Sequence, residues 1–291
     1  MDLVVGATGR LGGEICRLLL EQGAEVRALV RDTSSPDKVE RLISLGAEVL
    51  RGDLGNRASL AAACRGASAV VSTASSVGSR KDGDSIETVD RLGQLALVDA
   101  AEEAGVGHFV LISFPTVDVD FPLQSAKRAV EERLRRGRMT FTILQPTFFT
   151  EVWLSPALGF DPARAVARIY GDGHNRISWI SFEDVAKFAA AALRSPRAVG
   201  QAIKLGGPDA LSPLEAMELA QRVTGREIVA QHVPEAALRA QLAAAADPLQ
   251  QSLAGLMLYY ARGDAIDMTE ALRALPVQRL KSVLDYFRAT A

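Results

Sequence analysis

The feature that most restricts what this chain can fold into is an alternation. Six short apolar runs, at residues 3–5, 24–30, 47–51, 69–73, 109–112 and 140–144, alternate with segments of helical periodicity. Those segments lie at 11–22, 37–45, 57–65, 84–105 and around Lys127. Parallel strands need a long crossover, and strand–helix–strand crossovers are right-handed, so the rhythm implies a buried parallel sheet with helices on both faces. Ligands of such sheets collect at the carboxyl ends of the strands. Beyond Pro146 the rhythm breaks. Residues 177–181 and 202–206 read as further strands around a helix at 183–193. From 208 onward the chain reads as mostly helical. Ser212-Pro213-x-Glu215 forms a capping box before a helix at 216–223, and further helices are expected at 235–245, 248–261, 269–275 and 279–288.

The first strand runs into the first helix through VVGATGRLGG, with Gly6, Gly9 and Gly12 three residues apart. Glycine there permits a positive φ, bare backbone close to a diphosphate, and tight helix–strand packing. A glycine turn alone is a common loop. Placed after a strand and opening an amphipathic helix, it points to a dinucleotide, with Thr8, Arg10 and Leu11 completing the turn. The fold expected is therefore α/β, a Rossmann-type doubly wound parallel sheet over residues 1–154 with returning segments near 177–206. A smaller, mostly helical lobe from 155–176 and 207–291 would bind substrate.

The second strand ends in ALVRD. An arginine there receives a 2'-phosphate and an acid holds a ribose hydroxyl, so Arg31 favours NADP(H) while Asp32 keeps NAD(H) open. In RGDLGN, Asp53, beside Leu54, either accepts from an adenine amine or serves its own turn. Thr73, Ala74 and Ser75 are small enough for a cofactor to run past them.

Composition closes other routes. The chain of 291 residues carries 33 basic against 35 acidic residues, a formal charge of −2, and shows no footprint for nucleic acid. The basic run at 133–138 is balanced by Glu131 and Glu132. No apolar run approaches membrane-span length and no secretory signal is seen, so a cytoplasmic monomer or homodimer is expected. Cys16 and Cys64 then read as reduced, buried residues, and His108, His174 and His232 lack metal-ligand spacing.

Lys127 shares a helix face with Val130 and Leu134, at the edge of the inward stripe, while Arg128 and Glu132 are spaced for an i,i+4 pair. GATGRLG, LVRD, Gly52-Asp53, the Lys127 helix, FTILQPTFFTEVWL and RIYGDGHNRISWISFEDVA together resemble the NmrA-like branch of the atypical short-chain dehydrogenases/reductases. The resemblance covers 2–205 and extends to the remainder by general layout. Such proteins bind NADP(H) or NAD(H); some reduce quinones, dyes or plant phenolics, and others only sense the cofactor. The resemblance implies that Ser113 and Lys127 match the serine and lysine of short-chain dehydrogenases, with Lys127 at the nicotinamide ribose. Leu123 stands where those enzymes carry tyrosine, which removes the usual phenolic acid. Three roles remain for Lys127: proton donor or holder of a water, cofactor holder for an acceptor that needs no protein acid, or cofactor holder without turnover. A lysine merely lying along an apolar face is the plain alternative.

The resemblance also assigns Pro146, Thr147 and Phe148 to the nicotinamide. Phe148, Phe149 and Trp153 would begin an apolar wall for an aromatic or quinone-like molecule, with Phe114 also expected at the substrate, unless they simply pack the core. His174 is the spare proton donor by type, although GDGHN reads as a turn. Ser181 and Asp184 read as a structural helix cap. The expected function is an NADP(H)-dependent oxidoreductase acting on a small carbonyl or quinone-like acceptor. Its rival is a cofactor-sensing regulator or assembly protein that works through a protein partner.

Overall fold

The computed structural model describes residues 1–78 and 81–291. The first half alternates as the apolar periodicity demands. The strands are β1 (Asp2–Val5), β2 (Val26–Val30), β3 (Glu48–Arg51), β4 (Ala69–Ser72), β5 (His108–Ile112) and β6 (Thr140–Pro146). The helices between them are α1 (Arg10–Glu21), α2 (Pro36–Ser44), α3 (Arg57–Cys64), α4 (Gln94–Glu103) and α5 (Pro122–Arg136). Next come α6 (Thr150–Trp153), β7 (Phe160–Asp161), β8 (Val166–Tyr170), β9 (Ile177–Ser178), α7 (Phe182–Ala192) and β10 (Gln201–Leu205). Then follow β11 (Ala210–Leu211), α8 (Pro213–Thr224), β12 (Val229–Val233), α9 (Glu235–Ala244), α10 (Pro248–Arg262), α11 (Thr269–Ala274) and α12 (Val283–Thr290).

Seven strands form the main sheet in the order β10-β6-β5-β4-β1-β2-β3, and every pairing is parallel. The direction of winding reverses between β1 and β4, the point at which sheets of this kind bind ligands in a crevice at their carboxyl ends. One face is closed by Ile15 and Leu19 of α1 with Val185 and Phe188 of α7. The other is closed by Leu60, Leu97, Val130 and Leu134 from α3, α4 and α5. Strands buried on both faces read as continuous apolar runs, which is why they were visible in the sequence. The expected fold class holds.

The remainder builds a third apolar cluster around Phe148, Phe160, Trp179, Tyr260 and Phe287. Here several expectations need correction. The mostly helical lobe also holds a small sheet, in which β12 pairs in parallel with β8 and β7 pairs antiparallel to β8. VAQHV is largely solvent-facing, so no apolar alternation announced it; its register against β8 decides its shape. The strand expected at 177–181 covers only Ile177–Ser178, and Ile180 makes an isolated bridge to Phe149. The helix expected at 84–105 starts as a π-helix over Ile86–Gly93 before α4. The last helix begins at Val283 behind a Ser282–Asp285 capping box, because Arg279 adopts a left-handed φ of 54°. Cys16 and Cys64 are free and buried, and burial pushes their thiols up to about 12 and about 11. No helix among the described residues is long and apolar enough to cross a membrane.

Candidate functional site

The glycine turn closes the crevice end of β1. Gly6 has φ +87°, and a Cβ there would lie 2.5 Å from Thr73 Oγ1 and 2.9 Å from the Ala74 nitrogen. The first glycine therefore lets the β1 turn and the β4 end touch, and Thr73 Oγ1 donates to the Val5 carbonyl. A Cβ on Gly12 would collide with the Gly6 carbonyl, so α1 starts directly on the turn. Gly9 differs: its Cβ would meet only Gly6 O, at 3.1 Å. Gly9 is the N-cap of α1, with no side-chain cap and no acidic residue in the first turn. The positive end of α1 is thereby left open to an anion. Leu11 is buried beneath the turn, Thr8 is half-buried, and exposed Arg10 reaches the Glu151 carbonyl at 3.5 Å.

A contrast follows from these glycines. Gly12→Val should cost about 3 kcal/mol, because the clash is with backbone that cannot rotate away. Gly9→Ala should cost about 1 kcal/mol or less while intruding on an anion at the helix start. Thermal unfolding separates the two, and equal losses would contradict this packing.

At the ends of β2 and β3 lies a cavity of about 190 Å3, lined by Arg31, Asp32, Arg51, Asp53, Asn56 and Lys81 among others. Arg31 pairs with Asp84 at 2.6 Å, and Arg51 donates to the Arg31 carbonyl at 2.9 Å. Asp53 accepts from the Gly55 nitrogen and pairs with Lys81 at 2.7 Å. Partial burial pushes its carboxyl upward, but Lys81 and the Gly55 amide outweigh that and hold it low. Oδ1 thus serves its own turn, while Oδ2 holds Lys81 of the loop after β4. Leu54 is buried, and its Cβ fills the space that a side chain on Gly93 would need. Arg51 and Lys81 had no motif to mark them; only the convergence of two strand ends and the loop after β4 brings them beside Arg31. Ser75 accepts from the Val77 nitrogen, and the Ala74 carbonyl accepts from buried Gln94.

Lys127 lies on the inner face of α5 at 6% exposure, with Val130 and Leu134 as the spacing required. Its Nζ donates to the Ile112 carbonyl at 3.3 Å, at the end of β5, and faces Asp90 Oδ1 at 3.8 Å. Burial lowers its pKa, and Asp90 opposes that shift. Ser113 is held differently. Its hydroxyl donates to Glu131 at 2.7 Å and accepts from Arg128 at 2.9 Å. Glu131 is 1% exposed and also meets Gln145 and Arg135. The i,i+4 pair expected between Arg128 and Glu132 is replaced by Arg128–Glu131, and Glu132 pairs with Arg136. Leu123 is buried at 5% exposure with Ile86 and Phe121, and its nitrogen donates to Ser252.

The residues expected at the substrate are dispersed. Phe114 stacks on Phe121 beneath the Arg128 guanidinium. Phe149 stacks on Phe182 beside the α1 and α7 layer. Trp153 lies over Tyr260 at the edge of the third cluster, and His174 is exposed in a turn held by Asp172. Pro146 pairs with Leu205, and Thr147 donates to the Ser178 carbonyl. Phe148 is buried between Tyr259 and Trp153, with ring centroids 4.5 and 5.0 Å away. A second cavity, of about 440 Å3, opens just past β10 against Ser178, Ile266, Met268 and Leu272. None of Phe114, Phe149, Trp153 and His174 lines it. Ser181 caps α7 through the Asp184 nitrogen, as its spacing indicated. Among the described residues no group of acids, histidines and cysteines could hold a metal ion.

Known proteins resemble this chain over most of its length. NAD(P)H azoreductase of Xenophilus azovorans is 30% identical over 287 residues, covering 98% of this chain and 91% of that protein. Photosystem II assembly factor Ycf39 of Trieres chinensis is 29% identical over 238 residues, covering 80% of this chain and 72% of its own. The solved structure of AtPrR2 with NADP+ and (+)pinoresinol superposes with a TM-score of 0.80 at 25% identity, covering 100% and 98% of the two chains. The NmrA-like family model matches residues 3–286, and with the glycine turn, sheet order and buried lysine in place, the chain belongs to that family.

Proposed function

We propose that this protein is an NADP(H)-dependent reductase of the atypical short-chain type, acting on a small, flat carbonyl, quinone-like or azo acceptor. One observation carries the reading: an uncapped helix start over a glycine cradle, a strand's width from a cavity holding three cations. The cradle fits a diphosphate, since the close contacts at Gly6 and Gly12 set the turn hard against α1 while the helix start at Gly9 has neither a side-chain cap nor an acidic residue. Arg31, Arg51 and Lys81 fit the additional phosphate that separates NADP(H) from NAD(H). Residues 1–154, with the returning segments near 177–206, would hold the nucleotide. Residues 155–176 and 207–291 would supply the acceptor side, in a cytoplasmic protein whose thiols stay reduced.

When bound, the reduced nicotinamide supplies the hydride. The chain's part is to orient and to manage charge and proton. Gly9 and the first turn of α1 seat the diphosphate, and Thr73–Ser75 allow close passage. Lys127, kept beneath the ends of β4 and β5, would bind the nicotinamide ribose and hold a proton at Nζ for the oxygen or nitrogen that becomes anionic. Ser113 would act indirectly, by fixing Arg128 and Glu131 alongside. The azoreductase relative supports turnover; the assembly-factor relative and the buried Leu123 support the second reading, a cofactor-sensing partner protein.

Following NADPH oxidation at its reduced-nicotinamide absorbance, with quinones, azo dyes and aromatic carbonyls, tests the reading. Consumption with at least one acceptor is expected, and tight NADPH binding without consumption on any of the three classes would favour the sensor. Arg31→Ala should weaken NADPH at least about tenfold more than NADH, one lost charge-assisted contact being worth roughly 1.5–3 kcal/mol. Calorimetry with both nucleotides measures it, and an unchanged preference would remove Arg31 from the assignment.

A further inference from the structure

Asp90 is fully buried, at 0% exposure, on the π-helical stretch before α4. Its two oxygens are unequal. Oδ2 accepts from both the nitrogen and the hydroxyl of Ser76, at 3.0 and 2.6 Å. Oδ1 has no hydrogen-bond partner and lies 3.8 Å from Lys127 Nζ. A buried carboxylate oxygen without a partner is costly and uncommon, and so calls for a reason. On the other side, the ammonium has three donors, and one is satisfied, by the Ile112 carbonyl. The orphan oxygen and the under-used ammonium face each other. A π-turn winds the chain more loosely and places Ile86, Asp90 and Gly93 together on the inner face. Such turns concentrate at functional sites.

We infer that Asp90 is a positioning residue for Lys127: its unpaired oxygen holds the buried ammonium at the end of β5 in the charged, proton-bearing form. Ser76 anchors the carboxylate from the other side, so the charge is presented in one direction only. Without Asp90, desolvation would favour neutral amine, which has no proton to give. The remaining charges acting on Lys127 come from its own helix, Arg128 lowering and Glu131 raising its pKa. β4, β5 and β6 bring no charged side chain to it, their one titratable group being His108 at the far end of β5. α10, packed on α5, presents the neutral Ser252 to its first turn. The proton-donor half of this inference rests on the reductase reading; the pairing does not.

The test uses full-length protein labelled with 13C at the lysine Cε. The chain has six lysines, and Lys127→Met assigns the resonance. In Asp90→Asn the Lys127 titration midpoint should fall by about one to three pH units, the effect of losing an opposite charge at this range. Ser76→Ala keeps the carboxylate but loosens its anchor, and should lower the midpoint in the same direction by less. It reads the pairing even where Asp90→Asn fails to fold. Midpoints equal to wild type in the folded variants overturn the inference. In turnover, the alkaline limb of the pH–rate profile should move down with the midpoint in Asp90→Asn. A moved midpoint in a protein that consumes no NADPH leaves the pairing standing and removes the reductase reading. Turnover with an unmoved midpoint does the reverse.

Discussion

Turnover should fall by about 100- to 10,000-fold in Lys127→Met, the range expected when a positioned proton donor is removed. Methionine matches the lysine stem in volume and suits the apolar face that Val130 and Leu134 share with it, so the helix should keep its place. What is lost is the only ammonium at the end of β5 among the described residues, held by the Ile112 carbonyl and faced by Asp90. The change should appear mainly in kcat at saturating NADPH, with a smaller loss of nucleotide affinity from the proposed ribose contact, because the glycine turn and the Arg31 cavity lie elsewhere. Lys127→Arg should not restore the rate. A planar guanidinium is bulkier than an ammonium and does not release its proton at accessible pH. Stopped-flow oxidation of NADPH measures the hydride step directly. A rate within about tenfold of wild type would show that the acceptor takes its proton from water, with Lys127 reduced to a cofactor holder.

The largest effect on stability is expected at Glu131. Its carboxylate accepts from Ser113 and Gln145 and pairs with Arg128 and Arg135, at 2.7, 3.1, 2.9 and 3.1 Å, behind 1% exposure. Glu131→Ala should cost about 3–5 kcal/mol, because breaking one side of a buried ion pair strands the other. Arg128 is the stranded partner. Its Nε already lacks a hydrogen bond, and burial lowers its pKa even with Glu131 present. For a chain of this length that corresponds to a melting point roughly 5–8 °C lower. Arg135, more exposed, can turn to water. Glu131→Gln keeps the shape and loses the charge, so it should lie between wild type and alanine in a thermal melt. A Glu131→Ala protein that melts with wild type would mean that solvent reaches Arg128, and the Ser113 hydroxyl would then be released toward the crevice.

Much of this architecture was legible before any coordinates. The alternating strands were visible because the central ones are buried on both faces and so are mostly apolar, although β3, at the sheet edge, carries exposed Glu48 and Arg51. The glycine turn was visible because its conformational demand can be met by few residues other than glycine. Lys127 could be placed on an inward stripe from its spacing to Val130 and Leu134 alone. Asp90 offered a fainter signal. It occupies the interior face with Ile86 and Leu97, and a charge at an apolar position is the mark of a paired group. The π-turn that brings it inward leaves no periodicity of its own, so the segment read as ordinary helix.

Other features had no local signature. Glu131 sits in a run of charges that reads as a solvated face, yet it is among the most buried acids in the chain. Arg51 and Lys81 are thirty positions apart in sequence and meet only where β3 and the loop after β4 end together. The four aromatic and histidine residues expected to share a substrate wall were chosen by type, and the packing of Phe149 on Phe182 and of Trp153 on Tyr260 sends them to different neighbours. The exposed strand β12 exists through hydrogen bonds to β8 rather than through any burial pattern. By itself the sequence determined the doubly wound sheet, the glycine turn at the start of α1 and the inward lysine, because burial periodicity and glycine stereochemistry act within a few residues of one another. Only the tertiary structure decided which charges face that lysine, which serve their own turns and where the aromatics pack, because those are contacts between distant segments whose energies depend on desolvation and distance.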